Sequence, residues 1–285
     1  MKLLILLLCL GMERYLHIGG ALKRFHWFED YLGFLQRFFS KSQLMKGWGG
    51  IITALLPIVI IIEAINHVTF RLGYGLSGLG LHFLVLLYCL GPDDLYHQIQ
   101  SYFSATDTGN KEQAAGQYQS ITGVSMDKDE KVSARKLSEA ILVQSNERFF
   151  GVIFWYMLLG PSGAVIYRAV SIMRQYVEQG KEWTAHSAKE VLLLQNLLDW
   201  IPARLTAFVY VIVGGFQALG KWLNKAWLTL DSSQTCLREC GIAALTQDKN
   251  LQPLDENKRA VAMLDRALAV VLAATAIFTL GALVQ

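Results

Sequence analysis

Two arginines stand where a cation is costly to keep. Arg168 follows Tyr167 inside an apolar stretch, and Arg204 ends the string Asp199-Trp200-Ile201-Pro202-Ala203-Arg204, where the chain turns apolar again. A guanidinium presents a rigid fork of donors that fits a phosphate or carboxylate. Held near one surface, Arg168 and Arg204 would attract a small anion, with Tyr167 and Arg148 beside them. Snorkelling to lipid phosphates is the other use of such residues. Their mutual repulsion also asks for carboxylates, and Glu147 and Asp199 are the nearest candidates, with Asn146 next to Glu147. Pro202 suits the first turn of a helix and Asp199 an N-cap, so this string reads as a helix start. Neither reason accounts for Arg204.

Little else in the chain suggests chemistry. No Walker loop, GxGxxG, HExxH, GxSxG or DxDxDG string occurs, so no catalytic residue and no cofactor is assigned. Cys9, Cys89, Cys236 and Cys240 form no CxxC near a histidine cluster, and no metal site is expected. Cys236 and Cys240 share a helix face by their spacing of four. Glu63 and His67 close an apolar window near its water-facing end. His82 lies deep in another, where a neutral imidazole bonded to a neighbouring helix is expected. Gly73, Gly75, Gly78 and Gly80 suit close helix packing.

The elements that must carry these residues are membrane helices. Of the 285 residues, 53% are hydrophobic and only 17% charged, against about 45–50% and about 25% in soluble domains. With a mean hydropathy of +0.33, the chain is neither disordered nor an ordinary soluble enzyme. A net charge of +3 gives no reason to expect nucleic acid as a partner. Charge-free windows lie between Arg71 and Asp93, between Arg148 and Arg168, and after Arg266; shorter ones run over 47–62 and 205–220. A bilayer core needs about 20 apolar residues of helix, so the three long windows are the strongest spans. Residues 1–11 read as a retained N-terminal helix, because no small-residue cleavage site follows them. Lys and Arg are dense in 12–47 and 92–148, but the link 68–73 has only Arg71, which places the first two in the cytoplasm. Gly160-Pro161-Ser162-Gly163 interrupts the stretch 149–178. The expectation is a re-entrant helical hairpin there, with a kinked single span as the alternative.

Residues 92–148 are polar. Leu95, Ile99 and Phe103, then Ala114, Ala115, Tyr118 and Ile121, then Ala134, Leu137, Ala140 and Ile141 recur at helical spacing. Further helices are expected over 187–198 and 235–245, with an exposed loop over 245–257. The predicted fold class is all-α: a polytopic helical membrane protein with the hairpin and a cytoplasmic helical insertion. Its predicted organisation is an N-terminal membrane region, 1–91, a polar helical segment, 92–148, and a C-terminal membrane region with polar loops, 149–285.

The strings IFWYMLLGPSGAVIYRAV (153–170) and LDWIPARLTAFVY (198–210) resemble the CobD/CbiB-like membrane proteins, and within them most closely the AmpE family. MERYL (12–16), which contains Glu13 and Arg14, NERFFGVIFW (146–155), RAVAML (259–264) and FTLGALV (278–284) are similar to AmpE segments as well. This resemblance implies a multi-pass protein of the bacterial inner membrane that modulates a signal, without catalysis. It also implies a link to β-lactamase induction and peptidoglycan recycling. The implied partners are the lipid bilayer and either an anionic small molecule or a protein. CobD/CbiB enzymes, the alternative reading, make an amide bond with ATP in cobalamin biosynthesis. Their Arg-Asp-Thr, AENTVDG and SPNAGWP strings are lost here, near Val124-Ser125, 142–148 and 231–237, and with them the carboxylates that Mg-phosphate chemistry needs.

Overall fold

A computed structural model describes residues 2–16, 26–39, 47–71, 75–90, 95–180, 187–225, 233–245 and 253–284. Among the described residues every regular element is helical, so the class is all-α as expected. The chain divides into two units, Met1–Pro92 with Gly151–Asp199, and Asp93–Phe150 with Trp200–Gln285.

The first unit holds α1 (Lys2–Leu16), α2 (His26–Phe39), α3 (Trp48–Arg71), α4 (Gly75–Cys89), α8 (Gly151–Leu159), α9 (Pro161–Glu178) and the start of α10 (Ala188–Gly214). α9 packs on α3, α4 and α8, and α1 packs on α4. Phe28, Leu32, Ile51, Ala54, Ile172, Met173 and Val191 form one core there. The break between α8 and α9 has a local cause. Gly160 adopts φ +72°, which favours glycine, and Pro161 opens the next helix at a position that needs no N–H. The two helices then fold back on each other. A Cβ on Gly163 would strike the Trp155 carbonyl, and one on Gly151 would strike the Tyr167 ring. This pairing of 155 with 163 and 151 with 167 is that of an antiparallel helical hairpin. Glycines therefore do serve close packing, at Gly151 and Gly163, but not at two of the expected places: a Cβ on Gly78 or Gly80 would meet nothing within 4 Å, and the surroundings of Gly75 fall outside the described residues. Gly73 lies outside the described residues.

The second unit holds α5 (Leu95–Asp107), α6 (Lys111–Thr122), α7 (Glu130–Ser145), a π-helical turn (Asn146–Phe150), the rest of α10, α11 (Leu219–Lys225), α12 (Ser233–Leu245) and α13 (Pro253–Val284). α7 packs on α6, α12 and α13. Leu95, Ile99, Tyr118, Ile121, Leu137 and Ile141 are buried as their spacing predicts. On α5 it is Tyr102 rather than Phe103 that completes the buried face. α13 begins at Pro253, inside the stretch read as a loop.

Among the described residues three helices are long and apolar enough to cross a membrane: Trp48–Thr69, Ala188–Gly214 and Leu254–Ile277. α3 exposes Ile52, Leu56, Ile60, Ile61 and Val68, and α10 exposes Leu193, Leu197, Ile201, Leu205 and Ile212, aliphatic stripes suited to lipid. The two long charge-free windows nearer the middle of the chain give shorter pieces: α4 has 15 residues, and 149–168 is split at Gly160. The reading of Asp199 and Pro202 as a helix start is corrected, because α10 is continuous through both. Proline inside a helix leaves the carbonyl four residues earlier without its N–H donor. For Pro202 that carbonyl belongs to Leu198, and the Trp155 indole Nε1 donates to it at 3.1 Å. Pro57, inside α3, orphans Thr53 in the same way, and Tyr31 Oη reaches the Thr53 and Ala54 carbonyls at 3.5 and 3.3 Å. Both breaks in hydrogen bonding are thus covered from another helix, as hydrocarbon requires.

Candidate functional site

In the first unit the α8–α9 hairpin and the first half of α10 bring Tyr167 and Asp199 together. Asp199 is only 3% exposed. Tyr167 Oη donates to its Oδ1 at 2.6 Å, and Gln195 Nε2, one turn earlier on α10, donates to its Oδ2 at 2.8 Å. Both carboxylate oxygens are therefore fixed by buried donors, which is what makes a buried carboxylate tolerable. Arg168, next to Tyr167 on α9, is 3% exposed. It lines a cavity of about 510 Å³ formed by α2, α3, α4 and α9, whose other walls are apolar or aromatic. Two further polar pairs tie the hairpin to its neighbours: Ser162 donates to Glu63, and His82 Nδ1 lies 3.2 Å from Tyr156 Oη. The latter is the bond to a neighbouring helix that the sequence suggested for His82.

In the second unit the π-helical turn Asn146–Phe150 carries Asn146, Glu147 and Arg148. The turn starts where the Asn146 N–H bonds Val143 instead of Leu142. The Leu142 carbonyl then accepts from Ser145 Oγ at 2.8 Å and Tyr210 Oη at 3.0 Å. Such turns re-aim side chains and recur at functional sites. Asn146 Oδ1 accepts from Thr206 Oγ1 at 3.0 Å, and Glu147 Oε1 from Gln234 Nε2 at 3.3 Å. Arg204, 6% exposed, donates from Nη1 to the Trp200 carbonyl at 2.7 Å and to Ser233 Oγ at 3.4 Å, with its guanidinium carbon 4.6 Å from the Trp200 ring centre. Ser233 and Gln234 are successive residues in the first turn of α12, so Arg204 and Glu147 converge on that turn. One turn on, the Cys236 and Cys240 sulfurs lie 4.0 Å apart. The hydrogen bond from Cys240 pulls the Cys236 thiol below its ordinary pKa, with the Arg204 guanidinium acting in the same direction and burial against it.

Asn146, Glu147 and Arg204 thus share one neighbourhood in the second unit, with Arg148 half-buried in the same turn. Tyr167, Arg168 and Asp199 belong to the first unit. Glu13 and Arg14 lie in the last turn of α1, and their side chains fall outside the described residues. Sequence reasoning missed Gln195, Trp155, Thr206 and the Ser233-Gln234 pair. Gln195 had a visible signal: it sits four residues before Asp199, on the same helix face.

The family profile described as "Regulatory signalling modulator protein AmpE" matches residues 1–284. The chain belongs to the AmpE family. It is 27% identical to Protein AmpE of Shigella flexneri over the whole of both chains. A cobalamin biosynthesis protein CobD of Chromobacterium violaceum is 31% identical over 35% of this chain and 31% of its own length. A probable CobD of Thermococcus kodakarensis is 26% identical over 66% of this chain and 63% of its own. No solved structure matches it. Membership in the AmpE family and the three long apolar helices make this a membrane protein.

Proposed function

We propose that this AmpE-family chain is a multi-pass protein of the bacterial inner membrane that modulates a signal tied to β-lactamase induction and peptidoglycan recycling, without catalysing a reaction. The observation that carries the reading is the family match over residues 1–284. In this reading α5–α7 form a cytoplasmic segment, which the Lys and Arg of 92–148 support. The α8–α9 hairpin is re-entrant, and Arg168 and Arg204 recognise anionic groups, with Tyr167, Arg148, Asn146, Glu147 and Asp199 in support. Deleting the gene in a bacterium with an inducible β-lactamase tests this. Induction by a β-lactam should change, and the wild-type gene should restore it where Arg204→Ala does not. Unchanged induction refutes the reading.

The partial CobD likeness favours a second reading, an ATP-dependent membrane amide ligase. The loss of the carboxylate-bearing strings weighs against it. Rescue of corrinoid-dependent growth in a strain lacking the cobalamin enzyme would establish this second reading in place of the first.

A further inference from the structure

From the outward face of α3 we infer a homodimer interface: a second copy of this chain packs α3 against α3, with Glu63 of each copy hydrogen-bonded to His67 of the other. Leu56, Ile60, Glu63 and His67 follow one another at spacings of four, three and four, the a/d seam of a left-handed helix pair. All four are turned outward: Leu56 is 50% exposed and Ile60 56%, and Glu63 and His67 are exposed as well. The seam lies inside the apolar span Trp48–Thr69. An aliphatic stripe alone would suit lipid. An acid and an imidazole set into it do not, since acyl chains leave their polar atoms unsatisfied.

Glu63 is held at depth. Its Oε1 accepts from Ser162, in the first turn of α9, so the carboxyl cannot bend toward water without losing that bond. At about 1.5 Å per residue it sits about 9 Å inside the end of the span at Thr69. Among the described residues Glu63 bonds Ser162 and not His67, so carboxyl and imidazole both keep bonding capacity for a neighbour outside the chain. A second copy fits that capacity. Copies inserted with the same sidedness run parallel, and a two-fold axis between two α3 helices sets Glu63 of one beside His67 of the other, twice. An acid and a base one turn apart on one stripe are thus self-complementary, as an isologous interface requires. The carboxylate accepts from a neutral imidazole as it does from an imidazolium. Any other membrane protein would have to bring both a donor and an acceptor of its own to the same two depths.

The test uses the full chain in phosphatidylcholine vesicles, with a donor or an acceptor fluorescent protein fused to its C-terminus. Energy transfer between the two is followed as added lipid dilutes the protein, and should decline with the concentration dependence of a dimer. His67→Ala leaves the Ser162–Glu63 bond intact and removes both reciprocal bonds. It should weaken the dimer about ten-fold, the factor that about 1.4 kcal/mol gives. A wild-type donor mixed with a His67→Ala acceptor keeps one of the two bonds and should fall between. His67→Gln, whose amide donates to a carboxylate, should restore most of the affinity. Ile60→Cys should form a disulfide-linked dimer under copper phenanthroline, whereas Ile65→Cys, 44% exposed on another face of α3, should not; the native cysteines are buried. Transfer no greater than chance proximity gives, or unchanged by His67→Ala, overturns the inference. So does a dimer that crosslinks through Ile65→Cys and not through Ile60→Cys. If the chain is monomeric in vesicles while Ile60→Cys crosslinks to another membrane protein in cells, the seam serves that protein and the homodimer is wrong.

Discussion

Asp199 and Arg204 are five residues apart on one helix, yet each is settled by different partners. Asp199 depends on donors: Tyr167 and Gln195 occupy its two oxygens inside the first unit. A hydrogen bond to a charged group contributes about 1.5–3 kcal/mol, so Tyr167→Phe should lower stability by about that amount in thermal unfolding of the detergent-solubilised protein. Arg204 depends on acceptors and on an aromatic face, the Trp200 carbonyl, Ser233 and the Trp200 ring. Arg204→Ala should cost about as much, about 1.5–3 kcal/mol, whereas Lys221→Ala on exposed α11 should stay within about 0.5 kcal/mol. Arg204→Lys should rescue little, because an ammonium cannot reproduce the fork. At this scale the sequence was informative about type and poor about pairing. The residues worth watching were visible as charges at the edges of apolar stretches. Their partners Gln195, Thr206, Ser233 and Gln234 are ordinary polar residues that only the packing of helices singles out.

Helices were legible where periodicity carried them and misread where charge did. α5, α6 and α7 follow from spacing alone. Each of the three spans overlaps a charge-free window (47–62, 205–220 or the stretch after Arg266), but two of the three long windows gave no span and the helix bounds were missed, because a helix end can keep charged residues without ceasing to be one helix. α10 continues from Ala188 through Asp199 and Arg204 since their charges are satisfied within the protein. Pro202 likewise marks no boundary, because Trp155 supplies the hydrogen bond that it removes. Trp155→Phe should therefore cost about 1–3 kcal/mol, the penalty of a buried carbonyl left unsatisfied. In a Pro202→Ala background, where an N–H returns to Leu198, the same change should cost clearly less; a double-mutant cycle reads the difference. Outside the membrane helices, the start of α7 should respond to pH. The Asp129 N–H bonds Asp127 at 3.4 Å and, with nearby Lys136, holds the Asp127 carboxyl below its usual range. Its contribution is complete above the ordinary carboxylate pKa and is lost as pH falls through the lowered folded value. The protection factor of the Asp129 amide, the free-chain exchange rate divided by the observed rate at the same pH, should therefore fall at the acid end of that range and not near neutrality.

For the whole molecule, the class and the membrane setting were readable from composition and hydropathy, since an apolar excess this large leaves few other solutions. The division into two units was not, because each unit draws on distant stretches of chain and α10 contributes to both. Sidedness remains the proposal with the most direct test. Reporter fusions at Thr108 and Phe70 should report opposite faces, Thr108 cytoplasmic; a periplasmic signal at Thr108 would invert the arrangement. The covered prolines add a consequence for how such a chain is made. Synthesis runs from the N-terminus, and each covering residue precedes the carbonyl that it serves: Tyr31 comes before Thr53, and Trp155 before Leu198. When the ribosome delivers each proline-bearing helix to the membrane, its donor has already been translated. Neither gap has to wait on a later part of the chain, so insertion can proceed in order with no exposed carbonyl left behind in lipid.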